Sequence, residues 1–139
     1  MLLEMFITEV LFNKVKTKLV WHEFILTIVP ILFILNNNRN LYSAYLLGIT
    51  GILYHGFAGL SFAIAKKFLI LDRISVITVI MYMNSYTKTQ PITGGTSMIT
   101  LIIWQYNNYY NCGLKNNMIH LLFIQLPGYY VYQYALRMI

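Results

Sequence analysis

Runs of apolar residues alternate with short polar breaks along most of this chain. Neither the strict alternation of a half-buried strand nor the broad charged stripe of a soluble amphipathic helix accompanies them. The first run, "LVWHEFILTIVPILFIL" (residues 19–35), is closed by "NNNRN". A second begins at Leu41 and reaches about residue 62, a third covers 68–86, a shorter fourth covers 97–110, and a fifth covers 118–138. Crossing a hydrocarbon core of about 30 Å takes roughly 20 apolar residues in a helix. The pattern therefore predicts an all-α fold, a polytopic transmembrane bundle of about five spans forming one domain over residues 19–139. The β-branched run "ISVITVI" does not argue for a strand, because an isolated strand in lipid leaves its backbone groups unsatisfied.

The breaks carry their own expectations. "AKK" (65–67) ends the second span, and "YTKTQPITGGTS" reads as the loop before the fourth, with "PITGGT" a turn. Trp104, Tyr106, Tyr109 and Tyr110 are expected to extend the fourth span as an interfacial belt, and the tyrosines at 129, 130, 132 and 134 to form the opposite belt. Pro127 is tolerable inside a span whose neighbours re-satisfy the backbone. Gly48, Gly51, Gly56 and Gly59 share one span, and small residues at such spacings let helices approach closely. Residues 1–18, "MLLEMFITEVLFNKVKTK", are too charged to cross and too apolar for free solution, so they read as an amphipathic helix on the membrane surface. Their positive charges follow the apolar stretch, which is not the order of a cleavable signal peptide.

Composition strengthens the membrane reading. Hydrophobic residues make up 58% of the chain and charged ones only 10%, against about 25% charged in soluble domains; mean hydropathy is +0.61. The net charge of +6 is scattered between apolar runs, with no basic stripe interleaved with aromatics, so nucleic acid is not the expected partner. Membrane lipids are, together with further copies of the chain or subunits of a membrane complex. Alternate loops place Lys14, Lys16, Lys18, Lys66, Lys67 and Lys115 on one side and Arg39, Lys88 and Arg137 on the other, which predicts a multi-pass protein with a cytoplasmic N-terminus. The one cysteine, Cys112, excludes an internal disulfide and a zinc ribbon.

Ionisable residues inside spans are costly and are functional-site candidates by default. His22 and Glu23 open the first span, His55 lies near the end of the second, Asp72 near the start of the third, and His120 near the start of the fifth, with Asn116 one turn before it. All fall toward one leaflet. Imidazoles and a carboxylate drawn from separate helices suit Zn²⁺, and an open coordination position makes the bound water a nucleophile near neutral pH. A plainer role competes: histidines bonded to backbone or headgroups, and Asp72 paired with Arg73 or Lys67.

"GILYHGFAG" followed seventeen residues after its histidine by the aspartate of "FLILDRISVI" resembles the signature of the progestin and adiponectin receptor family, which includes the hemolysin III proteins and belongs with alkaline ceramidases and Per1-like proteins. Tyr54 and His55 match its aromatic-His pair, Leu71 and Asp72 its Leu-Asp pair, and His120 the second histidine of its last motif. The resemblance implies zinc held by His55 and His120, with Asn116, His22 or Asp72 completing the ligands. It also implies Asp72 assisting the metal-bound water and Thr50 or Ser61 as oxyanion donor, in hydrolysis of a lipid amide or ester. The chain departs from the pattern at Gly51, where the family has serine, at Asn116, where it has histidine, and in having five expected spans where seven are usual. Two expectations follow: a shortened zinc-dependent hydrolase, or a non-catalytic bundle protein acting in structure or assembly.

Overall fold

The computed structural model describes residues 21–60, 62–86, 88, 90–111 and 113–138; the surface helix expected over 1–18 lies outside them. The fold is all-α. A 3₁₀ helix, Trp21–Thr27, runs into helix α1 (Ile28–Leu35), followed by α2 (Tyr42–Leu60), α3 (Phe62–Asn84), α4 (Gln90–Tyr110) and α5 (Gly113–His120). A π-helical turn, Leu121–Gln125, then joins α5 to α6 (Leu126–Met138). The packing forms two compact units that divide between Ile77 and Thr78.

In the first unit the 3₁₀ opening has three residues per turn, which stacks Glu23 and Leu26 along one line, and Val29 follows in the first turn of α1. All three are buried. Pro30 supplies no N–H to the Leu26 carbonyl, so an unbroken α-helix through that turn would lose a hydrogen bond. The change from 3₁₀ to α geometry falls beside it. The asparagine run closes the connection to α2 as expected: Asn37 accepts from the Leu41 N–H (2.8 Å) and donates to the Leu41 carbonyl (3.0 Å), while Asn40 takes φ 51°, which asparagine tolerates better than most residues.

Helix α1 lies close against α2 where α2 carries glycine. A Cβ on Gly48 would sit 2.8 Å from the Pro30 carbonyl oxygen, and one on Gly51 would sit 2.6 Å from Pro30 Cγ. The small-residue spacing thus does what close helix approach requires. Between α2 and α3, Phe57 stacks on Phe68 with centroids 5.4 Å apart.

Two breaks fall elsewhere than the polar pattern predicts. "AKK" is not a loop but lies within α3; alanine and lysine are strong helix formers, and nothing between 62 and 84 interrupts the helix. "PITGGT" is not a turn but part of the first turns of α4. Pro91 sits in the first turn, where its missing N–H costs nothing. Behind it the hydroxyls are satisfied locally: Thr93 donates to Asn84 Oδ1 (2.7 Å), Ser97 to the Thr93 carbonyl (2.6 Å) and Thr100 to the Thr96 carbonyl (2.8 Å).

The second unit buries Trp104, Tyr129, Tyr132 and Ala135. Trp104, Tyr129 and Tyr132 are therefore core residues, whereas Tyr106, Tyr109, Tyr110, Tyr130 and Tyr134 are exposed as a belt requires. Gly113, at φ 65°, turns the corner between α4 and α5, a conformation glycine adopts without strain. The π-helical turn ends two residues before Pro127 and includes Phe123, whose carbonyl the proline ring would crowd in an unbroken α-helix.

Among the described residues no helix is both long and apolar enough to cross a membrane. The reason lies in their polar content. Helix α2 includes Tyr, Ser, Thr, His and several glycines. Helix α3 carries Lys66, Lys67, Asp72 and Arg73, and the first eight residues of α4 are small or polar except Ile92.

Candidate functional site

The first unit contains a buried polar centre. The 3₁₀ helix positions Glu23, α2 positions Thr50, Tyr54 and His55, and α3 positions Asp72, Arg73 and Ser75. Glu23, His55, Asp72 and Ser75 are each 4–6% exposed. Glu23 Oε1 lies 3.4 Å from His55 Nδ1, a long contact between two desolvated groups. The Tyr54 ring sits 4.6 Å from the His55 ring at a tilt of 55°. The Arg73 guanidinium lies 6.0 Å from the Tyr54 centroid. Tyr54 is also within electrostatic reach of Glu23 and Asp72. Two acids, one arginine and one histidine are thus arranged around one tyrosine, a balance that lowers the cost of removing charges from water.

The residues expected to do chemistry divide unevenly. His55 and Asp72 both fall in this centre. Thr50 is buried at its margin, but its hydroxyl donates to the Leu46 carbonyl one turn back (2.7 Å), and Ser75 does likewise to Leu71 (2.7 Å). A Cβ on Gly51 would lie 3.8 Å from Asp72 Oδ1, so position 51 does face the aspartate. Pro30 fills the space a side chain there would need. The side chain of His22 and all of Ser61 lie outside the described residues. His120 and Asn116 belong to the second unit.

Asn116 has a different setting from the one expected of a ligand. Its amide nitrogen reaches the Asn107 carbonyl (3.2 Å), the Asn111 carbonyl (3.2 Å) and Asn108 Oδ1 (3.4 Å). In return Asn107 Nδ2 donates to the Asn116 carbonyl (2.9 Å), and Asn111 Nδ2 to Asn107 Oδ1 (3.2 Å). Asn107 and Asn117 are fully buried. These amides fasten the corner between α4 and α5, and His120 follows one turn on, half-buried.

No protein-family model, curated protein or solved structure matches this chain.

The donor set decides how well zinc suits the chain. His55 carries a carboxylate at Nδ1, the arrangement that orients a ligating imidazole. Yet among the described residues no group of three or more His, Cys, Asp and Glu side chains gathers closely enough to hold a metal ion. A zinc site needs at least three protein ligands; of those expected, His55 and Asp72 lie in the first unit, and the side chain of His22 lies outside the described residues.

Sequence reasoning noted Glu23 only as a charge at a span end, and gave Asn107 and Asn117 no role. An acid inside "WHEFILT" was the available signal for the first. The paired asparagines at 107–108 and 116–117, nine positions apart, were the signal for the second.

Proposed function

We propose that the chain is a small integral membrane protein whose helices present apolar side chains to lipid and fasten themselves internally through polar contacts, acting as a structural or assembly component. The observation that supports this is a partial inversion of polarity along α3. Its buried positions among the described side chains are Ala65, Leu69, Asp72, Ser75, Val79 and Met83, while Ile70, Leu71, Ile74, Ile77 and Met81 are exposed. Asp72 and Ser75 inside, beneath an outer face of large apolar side chains, suit hydrocarbon better than water. The same inversion recurs where Thr93, Asn107 and Asn116 are buried while Met98, Ile99 and Ile102 are exposed. Inward polar residues of this kind lower the mean apolarity of a helix without changing the face it shows to lipid.

In this reading the positions that correspond to motif positions of the adiponectin receptor and hemolysin III type, those that match and those that depart alike, hold helices together. Gly51 accommodates Pro30, Asn116 fastens the α4–α5 corner, and His55 pairs with Glu23. A second reading, a zinc-dependent lipid amide or ester hydrolase, is favoured by one observation, the carboxylate at His55 Nδ1. Protein purified in detergent from zinc-replete cells separates the two. The assembly role predicts sub-stoichiometric zinc, no release of fatty acid from lipid amides or esters, and a lower unfolding midpoint for His55→Ala. Stoichiometric zinc and hydrolysis, both lost in His55→Ala, would replace it with the hydrolase. Release of the wild-type protein from membranes by alkaline carbonate would refute membrane embedding in either case.

A further inference from the structure

We propose that Glu23 is a positioning residue for His55, holding the ring by Nδ1–H and thereby making Nε2 its basic nitrogen. This goes beyond either reading of the function, since it assigns the reactive atom of the ring whether or not a reaction uses it.

A neutral imidazole has one donor and one acceptor nitrogen, and an ionised carboxylate can only accept. With Glu23 Oε1 facing Nδ1 at 3.4 Å, the ring proton belongs on Nδ1 and the lone pair on Nε2. The opposite assignment needs a protonated Glu23 donating to Nδ1. The surroundings favour the first. The Arg73 guanidinium stands 6.0 Å from the Tyr54 ring, and that ring packs against His55. A guanidinium does not lose its proton in proteins, so a permanent positive charge near the pair favours the ionised carboxylate. Desolvation then strengthens whatever hydrogen bond the pair makes; the His55 and Glu23 side chains are only 6% and 5% exposed. The tilted Tyr54 ring beside His55 restricts the imidazole from turning over and exchanging its two nitrogens. The 3₁₀ geometry contributes too, because it places Glu23 on the same inner line as the buried Leu26.

The test is nitrogen NMR of the full chain in lipid nanodiscs at neutral pH, with labelled histidine and the His55 signals assigned by difference from His55→Gln. The expected spectrum has a protonated, pyrrole-type Nδ1 and an unprotonated, pyridine-type Nε2. Glu23→Ala should abolish that Nδ1–H signal and shift His55 toward the Nε2–H form. Glu23→Gln, whose amide oxygen still accepts, should retain it, a rescue that a purely space-filling role for Glu23 would not produce. An Nε2–H tautomer or a doubly protonated ring in the unaltered protein overturns the assignment, as does a Glu23→Ala spectrum identical to it. The unaltered protein alone decides the tautomer, so poor folding of Glu23→Ala leaves the test intact.

Discussion

Replacing Gly48 by alanine tests whether the approach of α1 to α2 is as close as the structure makes it. The added Cβ would lie 2.8 Å from the Pro30 carbonyl oxygen and also against Ile34. Ile34 can rotate, but a backbone carbonyl moves only if α1 moves. Overpacking of this kind costs about 1–3 kcal/mol, while Gly→Ala inside a helix gains up to about 1 kcal/mol through propensity. Gly56 supplies the control. It is in the same helix, and its added Cβ would meet only Thr27 Cγ2 at 4.0 Å, ordinary contact. Gly56→Ala should therefore raise stability by about 0.5–1 kcal/mol. The propensity gain is common to both variants, so the difference between them isolates the clash, at about 1–3 kcal/mol. Reversible unfolding in mixed detergent micelles, followed by circular dichroism, measures it. Equal midpoint shifts for Gly48→Ala and Gly56→Ala would refute the close approach and with it the role given to glycine in α2.

Further outcomes follow from other contacts. Gly51→Ala should destabilise, and adding Pro30→Ala should recover at least about 1 kcal/mol in a double-mutant cycle, because the clashing atom is Pro30 Cγ; additive effects would contradict this. Asn107→Ala removes amide contacts to both Asn116 and Asn111 and should cost about 2–3 kcal/mol, read as faster amide exchange at the α4–α5 corner, whereas Asn108→Ala should leave exchange there nearly unchanged. Ile74→Lys places a charge on the exposed face of α3 and should cost about 3 kcal/mol in a membrane-insertion assay. Insertion unaffected by that lysine would argue against a lipid-facing stripe.

Much of the helix inventory is legible without coordinates. Lengths of apolar run, the Asn37–Asn40 break and the Gly48–Gly51 spacing each report a local property, namely hydropathy, turn chemistry or lack of a Cβ, and each corresponds to an observed feature. Helix ends were less legible. Lys66 and Lys67 read as a break by polarity, yet their backbone propensity is helical, and "PITGGT" holds turn residues that begin a helix, with the Thr93 hydroxyl bonded to Asn84.

By itself the sequence determined an all-helical fold, its approximate segments and the placing of His55 and Asp72 on consecutive helices; Asp72, expected near the start of its helix, lies in the middle of α3 because that helix begins at Phe62. Tertiary structure decided what those residues touch. Only packing could bring Glu23 to His55 across thirty-two positions, put Pro30 into the space beside Gly51, and fasten Asn116 to Asn107. Periodicity specifies the face of a helix on which a residue lies, whereas partners depend on how helices cross. That crossing is set by contacts such as Pro30 against Gly48 and Gly51, which no single segment contains.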